Sequence, residues 1–586
     1  MPSGKRYNAR EMSRILRHLI IVATLCSLFV WLFSPAHAQR GGDRRFGVVD
    51  AFDNPAAASQ LGAGWTRVRF QWSALQPDDS GQWNDAALDK IVSAETAAGR
   101  EVVGLIVNTP PWALKNADNA GVPAGMELPA SDPQNLWATF LRRLVTKYAG
   151  RVNHWTIWNE PDIWDNRYPG QTWGGSVEEF LQFQRIAYLV AKSANSNAVI
   201  HLAGFTFWWD AQAKRTPFFQ RFLDALRNDP NAAANNYYFD VVTSHQYFRP
   251  DTVYDLTLWH HTMMRAYGFD KPVWLVETNA APSLDPTWLA PGSQFKITLE
   301  EQAAFIVQAF AMGLAGGAER IAVYKMADTP GDKAANPEPF GLVRMDGSHR
   351  PAFAAFQIAS SHLSGFRWAT LDRRDEVAQV TVDRGTQTTT VLWSRVPSPQ
   401  RVALGARAGS AVVVNTQTGA TWTQGAVGGQ YTLNLPGAIC TQPVDGGCPV
   451  GGWPLMVIER GGGGAAPSAS QAISLTARQP VTMSGSVPVT LSGKLAATAT
   501  ATPTSTATPL PTQTPTATLT PTPLPTQTPT ATSTHTATPS VTPSLTPTPN
   551  IAVSSPEFDA RSGLVVGGIL LVFIAAFALR PRPRGY

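Results

Sequence analysis

Short apolar strands alternate with amphipathic helices over residues 44–364. The eight strand-like runs are 46–52, 65–70, 102–107, 154–158, 199–204, 239–244, 273–277 and 320–325. Helical segments separate them, among them 85–98, 136–148, 177–193, 217–227, 257–267 and 300–313, and 351–363 follows the eighth strand. Eight such repeats predict an α/β fold, the (β/α)8 TIM barrel. A doubly wound open sheet is the alternative, but no Gly-rich phosphate loop opens the first helix.

A different pattern begins after the barrel, over residues 365–460. Helical periodicity stops there, and short β-rich runs separated by turn residues take its place, at 377–382, 389–394, 411–416, 431–435 and 454–459. This pattern predicts a small antiparallel β domain, similar to a β-sandwich. We expect it to pack on the barrel, because no flexible linker separates the two.

Both ends of the chain carry apolar segments. Basic residues precede an apolar run at 19–33 that ends in Ala36-His37-Ala38, which predicts a signal peptide over 1–38. An uncleaved membrane anchor is the alternative. An uncharged apolar run at 563–579 is followed at once by arginines, which predicts a transmembrane helix with a cytoplasmic tail at 580–586. The barrel is then expected outside the cell, anchored to its membrane.

Residues 461–562 are rich in Gly, Thr and Pro and contain the sequence TPLPTQTPTAT twice. Such a composition cannot bury a core, so we expect a disordered linker. Its prolines favour an extended chain and its hydroxyls are candidates for O-glycosylation. The linker is therefore predicted to be a stalk that holds the folded part away from the membrane.

Charge and cysteine usage exclude several classes of function. The formal net charge is +5, but the excess of basic residues lies in the two short ends, so nucleic-acid binding is not expected. Cys26 belongs to the signal peptide, and Cys440 and Cys448 form a close pair that predicts a disulfide. No His/Cys/Asp cluster has ligand spacing, so we expect no metal and no cofactor. We expect a monomer.

Two of the predicted strands end in a glutamate. The fourth ends in Trp-Asn-Glu-Pro, which contains Glu160, and the seventh ends in Val-Glu, which contains Glu277. The strands of a (β/α)8 barrel all end at the same face, so both carboxylates are expected at the barrel mouth. Paired carboxylates across a cleft are what glycoside hydrolysis needs: one donates a proton to the leaving oxygen, and the other attacks the anomeric carbon or activates water. Glu160 and Glu277 are therefore the predicted catalytic residues.

Four further polar residues lie at predicted strand ends. Asn159 is a candidate for hydrogen bonding to the sugar 2-hydroxyl, and Tyr247 for orienting Glu277. His245 is expected to line the same wall. Arg69 ends the second strand and is a candidate for keeping a carboxylate ionised. The alternative for each is a structural role, as a polar core residue or, for Arg69, a surface ion pair.

Aromatic side chains crowd the predicted mouth. Six tryptophans lie near strand ends, namely Trp72, Trp112, Trp158, Trp164, Trp208 and Trp209. Flat apolar rings stack on the faces of sugars, although packing is the better explanation for each ring taken alone. Trp112, Trp164 and Trp208 are the candidates for substrate contact.

These residues carry a family resemblance. The segments NTPPWA at 108–113 and WTIWNEPD at 155–162, with a Glu ending the seventh strand, resemble the retaining (β/α)8 glycoside hydrolases of clan A. They are most similar to family 39, the β-xylosidase and α-L-iduronidase family, and next to the cellulase-like family 5. The resemblance implies that Glu160 is the acid/base, Glu277 the nucleophile and Asn159 the 2-hydroxyl ligand, with Tyr247 and Arg69 supporting the nucleophile.

The eighth strand departs from the family pattern, which commonly has a Trp beneath the sugar. Residues 323–326 read Val-Tyr-Lys-Met instead. Tyr324 is the candidate substitute, and Lys325 is expected to face either an acidic sugar or solvent.

Two functions from different classes fit the sequence. The first is a retaining glycoside hydrolase that acts on extracellular glycosides or polysaccharides by double displacement, with a transglycosylase as a variant of the same chemistry. The second is an inactive surface protein for carbohydrate binding or adhesion on the same barrel. The presence of both glutamates favours the enzyme.

Overall fold

Eight parallel strands close into a barrel, and their order around the barrel is their order along the chain. This is seen in a computed structural model that describes residues 42–116, 120–164, 171–335 and 338–461, with four residues of a short later hairpin. The strands are β1 (Phe46–Val49), β2 (Trp65–Gln71), β3 (Glu101–Val107), β4 (His154–Ile157), β5 (Val199–Phe205), β6 (Val241–Tyr247), β7 (Val273–Asn279) and β8 (Ala318–Val323). The predicted (β/α)8 barrel is confirmed.

Helices surround the barrel and connect its strands. They are α1 (Pro55–Leu61), α2 (Trp72–Leu75), α3 (Ala86–Ala97), α4 (Leu136–Tyr148), α5 (Val177–Ala194), α6 (Trp208–Gln212), α7 (Phe218–Arg227), α8 (Pro250–Ala266), α9 (Leu299–Gly316), α10 (Pro330–Ala335) and α11 (Pro351–Leu363). Short 3₁₀ turns lie at Ala51–Asp53, Pro111–Ala113 and Ala233–Tyr238. Capping boxes fix where two long helices begin: Ser176 with Glu179 at α5, and Thr298 with Glu301 at α9.

The barrel interior is filled by side chains rather than by solvent. Trp65 and Trp274 pack there against smaller residues, with ring centroids 5.6 Å apart. The large indole of Trp65 is accommodated because Gly47 on the neighbouring strand has no side chain, and a Cβ there would lie 2.3 Å from the ring. The polar groups described below therefore project from a packed core at the strand ends.

An antiparallel β domain follows the barrel, as predicted. Its strands are β9 (Trp368–Arg373), β10 (Val377–Asp383), β11 (Gln387–Ser394), β12 (Gln400–Gly405), β13 (Ser410–Asn415), β14 (Thr421–Gly425), β15 (Gln430–Leu435) and β16 (Leu455–Arg460). Six of them form one sheet in the order β14-β13-β16-β11-β10-β9, and β12 pairs with β15. Val380, Trp393 and Met456 of the larger sheet join one apolar cluster with Phe310 of α9 and Phe356 of α11. The two domains therefore share a core.

A disulfide joins Cys440 to Cys448 and closes a small loop of the β domain. Three side chains of this loop reach the barrel. Asp445 accepts a hydrogen bond from Arg249 at 2.9 Å, and Gln442 accepts one from the backbone N–H of Lys296 at 2.8 Å. Thr441 donates from its backbone and its hydroxyl to the Glu301 carboxylate. The loop thus contacts the segments that follow β6 and β7.

The predicted signal peptide, transmembrane helix and cytoplasmic tail, and all but four residues of the predicted linker after residue 461, lie outside the described residues. Those four residues form β17 (Thr482–Met483) and β18 (Val487–Pro488), which pair with each other. Within the described part of the chain, no helix combines the length and the apolar character needed to cross a bilayer.

Candidate active site

The backbone turns sharply where β4 ends, and this turn aims Glu160 into the barrel mouth. Trp158 and Glu160 both have positive φ, at 73° and 46°. Their N–H groups still bond to the neighbouring strands, to the carbonyls of Ile106 and Gly204 at 2.9 Å each. The Trp158 ring packs into the apolar core. The Glu160 side chain is almost fully buried, with 4% of its surface exposed. Left-handed backbone at non-glycine residues is costly and clusters at functional sites, so the turn is part of the site.

Glu277 lies within β7 and is completely buried. It accepts short hydrogen bonds from the guanidinium of Arg67 on β2 and from the hydroxyl of Tyr247 at the end of β6. The predicted role of Tyr247 fits this contact. Side chains from three strands, β2, β6 and β7, therefore converge on one carboxylate.

The ion pair with Glu277 is made by Arg67, not by Arg69 as the sequence suggested. Both arginines lie on the same face of β2, because side chains repeat every two residues along a strand. Arg67 is the deeper of the two and lies at the level of Glu277, where it is almost fully buried. Arg69 lies closer to the rim and near Asp50, whose carboxylate it helps to stabilise.

His245 lies between the two glutamates. Its Nδ1 is 2.7 Å from Oε1 of Glu160 and 3.6 Å from Oε2 of Glu277. Its Nε2 is 3.4 Å from a guanidinium nitrogen of Arg67, which can only donate. Nε2 is then the acceptor, so Nδ1 carries the hydrogen and donates to Glu160.

Gly204 of β5 makes this arrangement possible. A Cβ at this position would lie 2.2 Å from Nε2 of His245. The imidazole crosses β5 over a residue that has no side chain, and so reaches from β6 to β4. Sequence reasoning missed Gly204, although a glycine inside a strand is a signal for close approach of another group.

The two carboxylates are close to each other but differ in pKa. Oxygens of Glu160 and Glu277, with a nitrogen of His245, all lie within 4.8 Å of one another. Burial, together with the nearby Glu277 charge, raises the pKa of Glu160 despite the opposing His245 contact. Burial also acts to raise the pKa of Glu277, but Arg67, His245 and Tyr247 outweigh it and hold that pKa below its usual range. Of the two, Glu160 is therefore the one that keeps its proton to higher pH, and Glu277 is the one that ionises first.

The groups that contact Glu277 are themselves held in the required ionisation state. Burial and the neighbouring Glu277 charge place the pKa of Tyr247 well above its ordinary value, so its hydroxyl keeps its hydrogen and donates it. Burial opposes the charge on Arg67, but Glu277 outweighs it and raises the pKa of that guanidinium. Both partners thus favour an ionised Glu277.

Glu160, His245 and Glu277 are also the residues that offer a metal-ligand set in the described part of the chain. The set does not fit a cation well. The Arg67 guanidinium already contacts both Glu277 and His245, and a second positive charge beside it would be repelled. We therefore interpret the three residues as a hydrogen-bonded acid–base group.

Asn159 lies beside Glu160 and is buried. Its backbone pairs with Gly204 of β5. Its side-chain oxygen Oδ1 is buried and has no hydrogen-bond partner among the described residues. A buried amide oxygen without a partner is unfavourable, so a ligand hydroxyl there would satisfy it.

Lys325 does not face solvent, contrary to one expectation, and it is not free to bind an acidic sugar. Its ammonium is buried among Asp53 at 3.1 Å, Asp332 at 3.0 Å and Asp50 at 3.8 Å. Three carboxylates around one ammonium leave no excess positive charge for an anionic ligand. Tyr324 lies beside this cluster with its ring edge-on to Phe340.

The six tryptophans differ in how much of each ring is exposed, and Trp209 is partly buried. Trp72 and Trp158 follow the ends of β2 and β4 as expected, but both rings are buried in the core and neither is exposed at the mouth. Trp112 and Trp208 are partly buried against the same core, and Trp112 donates from its indole N–H to the carbonyl of Gln76 at 3.1 Å. Trp164 is 38% exposed.

Asp162 is a further residue that sequence reasoning did not single out, although it belongs to the WNEPD motif. Its Oδ2 accepts hydrogen bonds from the backbone N–H groups of Thr206 and Phe207 at 2.8 Å and from the Thr206 hydroxyl at 2.9 Å. It thereby ties the loop after β4 to the loop after β5. Burial, with the nearby Asp210 and Glu160, raises the pKa of Asp162 to about 7.

The fold is similar to that of a family 39 glycoside hydrolase. That hydrolase comes from the gut symbiont Bacteroides cellulosilyticus WH2. The two structures match with a TM-score of 0.53 at 16% sequence identity, over 72% of this chain and 83% of the hydrolase. The resemblance expected from the sequence is confirmed for the fold.

Other solved structures match with lower scores. A family 30 endoxylanase from Clostridium papyrosolvens C71 has a TM-score of 0.48 at 12% identity, over 72% of this chain and 97% of that one. A family 39 enzyme from Xanthomonas axonopodis pv. citri has a TM-score of 0.46 at 13% identity, over 72% and 96%. No protein-family model and no curated protein matches the sequence.

Proposed function

We propose that this protein is a retaining glycoside hydrolase in which Glu160 is the acid/base and Glu277 the nucleophile. The observation that carries the proposal is the meeting of two buried carboxyl groups with different partners, Glu160 with His245 and Glu277 with Arg67 and Tyr247. These surroundings raise the pKa of Glu160 and lower that of Glu277. Their oxygens lie within 4.8 Å of each other. Retaining enzymes hold the two carboxyl groups about 5–5.5 Å apart, whereas inverting enzymes need about 6.5–9.5 Å to admit a water molecule.

The first half of the reaction follows from these ionisation states. The Glu277 carboxylate attacks the anomeric carbon while Glu160 gives its proton to the departing glycosidic oxygen. The alcohol leaves, and the sugar is joined to Glu277 as an ester. The buried Oδ1 of Asn159, which has no hydrogen-bond partner among the described residues, is the candidate acceptor for the sugar 2-hydroxyl.

The second half reverses the role of Glu160. Once Glu277 is esterified, it no longer carries the negative charge that raises the pKa of Glu160. Glu160, now ionised, takes a proton from a water molecule, whose oxygen attacks the anomeric carbon. The bond to Glu277 breaks, and the nucleophile is released as a carboxylate for the next cycle.

Hydrolysis of a panel of nitrophenyl glycosides, with Glu277→Ala and Glu160→Ala beside the native protein, tests the assignment. We expect no turnover by Glu277→Ala. With Glu160→Ala we expect slow turnover that azide restores, because azide attacks the glycosyl-enzyme without a general base. Unchanged activity of Glu277→Ala overturns the nucleophile. A native protein that hydrolyses neither aryl glycosides nor polysaccharides supports the non-enzymatic alternative.

We propose further that the catalytic part is exported and anchored to the membrane. The pattern of residues 1–38 and 563–579 supports this, and so does the disulfide between Cys440 and Cys448, because disulfides persist mainly in oxidising compartments. Protease treatment of intact cells should remove the barrel domain if it is displayed outside. Protection of the barrel until the cells are lysed argues against display.

A further inference from the structure

A groove of about 610 Å³ lies on the outside of the barrel. The first residues of α5 form one side of it, and α7 forms the other side along its whole length. Its volume lies within the roughly 300–1,000 Å³ that is usual for ligand sites. It begins at Pro161, the residue that follows Glu160, and reaches Asn228 just after α7. The groove is therefore continuous with the loop that carries the proposed acid/base.

The lining of the groove combines one exposed aromatic ring with polar side chains. Trp164 is 38% exposed, and the Arg215 guanidinium lies 5.1 Å from the centroid of its ring. Gln171, Glu178 and Asn228 also line the groove. An exposed aromatic ring in a groove that also contains planar hydrogen-bonding groups suits a sugar, which has an apolar face and a rim of hydroxyls.

The wall of the groove is held in place by the completely buried Asp210. Arg215 and Arg221 both pair with its carboxylate, at 3.3 and 3.2 Å, and the N–H of Phe218 donates to it at 2.7 Å. The indole N–H of Trp164 donates to the carbonyl of Trp209 at 3.1 Å. Side chains that are already fixed lose little conformational entropy when a ligand binds.

The charges of the groove point to a neutral ligand. Arg215 and Arg221 contribute two positive charges to the lining, and Glu178 and Asp224 contribute two negative ones. Because both arginines are also paired with Asp210, neither offers an unbalanced charge to an anion. A chain of uronic acids would find no net attraction here, whereas hydroxyl groups would find both donors and acceptors.

Its position places the groove on the leaving-group side of the site. An acid/base must lie next to the glycosidic oxygen that departs, so the leaving part of the substrate lies against the loop of Glu160. We propose that the groove binds a neutral polysaccharide chain on the leaving-group side, with Trp164 as its stacking platform. The proposal rests on the proposed function of Glu160 and implies that the enzyme acts on polymers.

Affinity electrophoresis of the full-length protein tests the proposal. The protein carries Glu277→Gln to prevent turnover, and the gels contain soluble arabinoxylan, mixed-linkage β-glucan or polygalacturonate. We expect retardation by at least one of the two neutral polymers and none by polygalacturonate. Adding Trp164→Ala should weaken binding about fivefold or more, since a lost stacking contact accounts for a factor of this order.

The matched control is Trp422→Ala, because Trp422 on β14 is 40% exposed and lies in the other domain. We expect its binding to equal that of the parent protein. Retardation that persists in Trp164→Ala, or that is lost in Trp422→Ala alone, overturns the proposal. So does retardation by polygalacturonate alone, or by no polymer.

A second variant distinguishes a direct role of Arg215 in polymer binding from an effect on the stability of the groove wall. Arg215→Lys keeps the charge and the ion pair with Asp210 but removes the planar group over Trp164. We expect weaker polymer binding with an unchanged melting temperature, and unchanged binding contradicts the stacking arrangement. Aryl glycoside hydrolysis by the protein with native Glu277 reports on the catalytic proposal separately, because an aryl leaving group does not extend into the groove.

Discussion

His245 of β6 donates a hydrogen bond to Glu160, which follows β4, over 2.7 Å, although β5 lies between these two strands. This contact opposes the rise that burial causes in the pKa of Glu160. The same imidazole nitrogen is 3.6 Å from Glu277. One histidine thus connects the proposed proton donor with the proposed nucleophile and bears on the ionisation of both.

Replacing His245 with Ala should raise the pKa of Glu160 further, because a contact that stabilises its charged form is lost. We expect the alkaline limb of the pH profile of kcat/KM to move to higher pH. We also expect kcat to fall about 10–100-fold, the range for a hydrogen bond to an ionisable group. The control is His260→Ala, which removes another buried histidine that bonds only to a backbone carbonyl among described residues. It should lower the melting temperature without moving the profile.

Replacing Gly204 with Ala should displace the imidazole of His245, since the added Cβ would lie 2.2 Å from Nε2. The backbone of β5 does not need a glycine for its φ angle, so the effect comes from the side-chain clash. We expect a loss of activity similar to that of His245→Ala. The double variant should be no worse than either single variant, and additive losses would show that Gly204 acts elsewhere.

Replacing Arg67 with Gln should have a much larger effect than replacing Arg69 with Gln. Without the Arg67 charge, burial dominates and the pKa of Glu277 rises, so the acidic limb of kcat/KM should move to higher pH. The buried carboxylate also loses its ion-pair partner, which costs about 3–5 kcal/mol of stability. Kinetics across pH and thermal unfolding measure the two effects. A larger shift of the acidic limb in Arg69→Gln would show that Arg69, and not Arg67, controls the ionisation of Glu277.

The stability of the protein should fall as pH rises through neutrality, in part because of Asp162. Its pKa of about 7 in the folded state lies above its model-peptide value of 3.8. Between these two values the folded state binds more protons than the unfolded state, so the free energy of unfolding decreases as pH rises. Asp162→Asn keeps an oxygen for the three hydrogen bonds but cannot ionise. We expect its melting temperature to fall less between pH 5 and pH 8, whereas the exposed Asp346→Asn should follow the native curve.

Removing the disulfide with Cys440→Ser and Cys448→Ser should affect activity as well as stability. A loop with a sequence separation of 8 predicts a loss of about 2–3 kcal/mol. Asp445 of the loop also accepts a hydrogen bond from Arg249. Arg249 lies two residues after Tyr247, whose hydroxyl donates to Glu277. We expect kcat to fall severalfold.

Asp445→Ala provides the matching test with the disulfide intact, and we expect it to lower kcat with a smaller loss of stability. If neither variant changes kcat, the loop contributes only to stability.

Several features follow from the sequence alone. Strand and helix periods predict the eight repeats, and parallel barrel strands all end at one face. Glu160 and Glu277 therefore had to lie at the same mouth whatever the details of packing. Tyr247 could be placed beside Glu277 because β6 and β7 are neighbours both in sequence and in the barrel. The close spacing of Cys440 and Cys448 allowed the disulfide to be predicted.

Other features depended on the tertiary structure. A period of two puts Arg67 and Arg69 on the same face of β2, and only the stagger of the strands decides which one reaches Glu277. Nothing local to Lys325 shows that carboxylates from separate segments surround it. Whether a tryptophan such as Trp158 packs or stays exposed depends on the left-handed turn of its own backbone. Periodicity fixes the face on which a side chain lies, but depth and partners are set by contacts between segments distant in sequence.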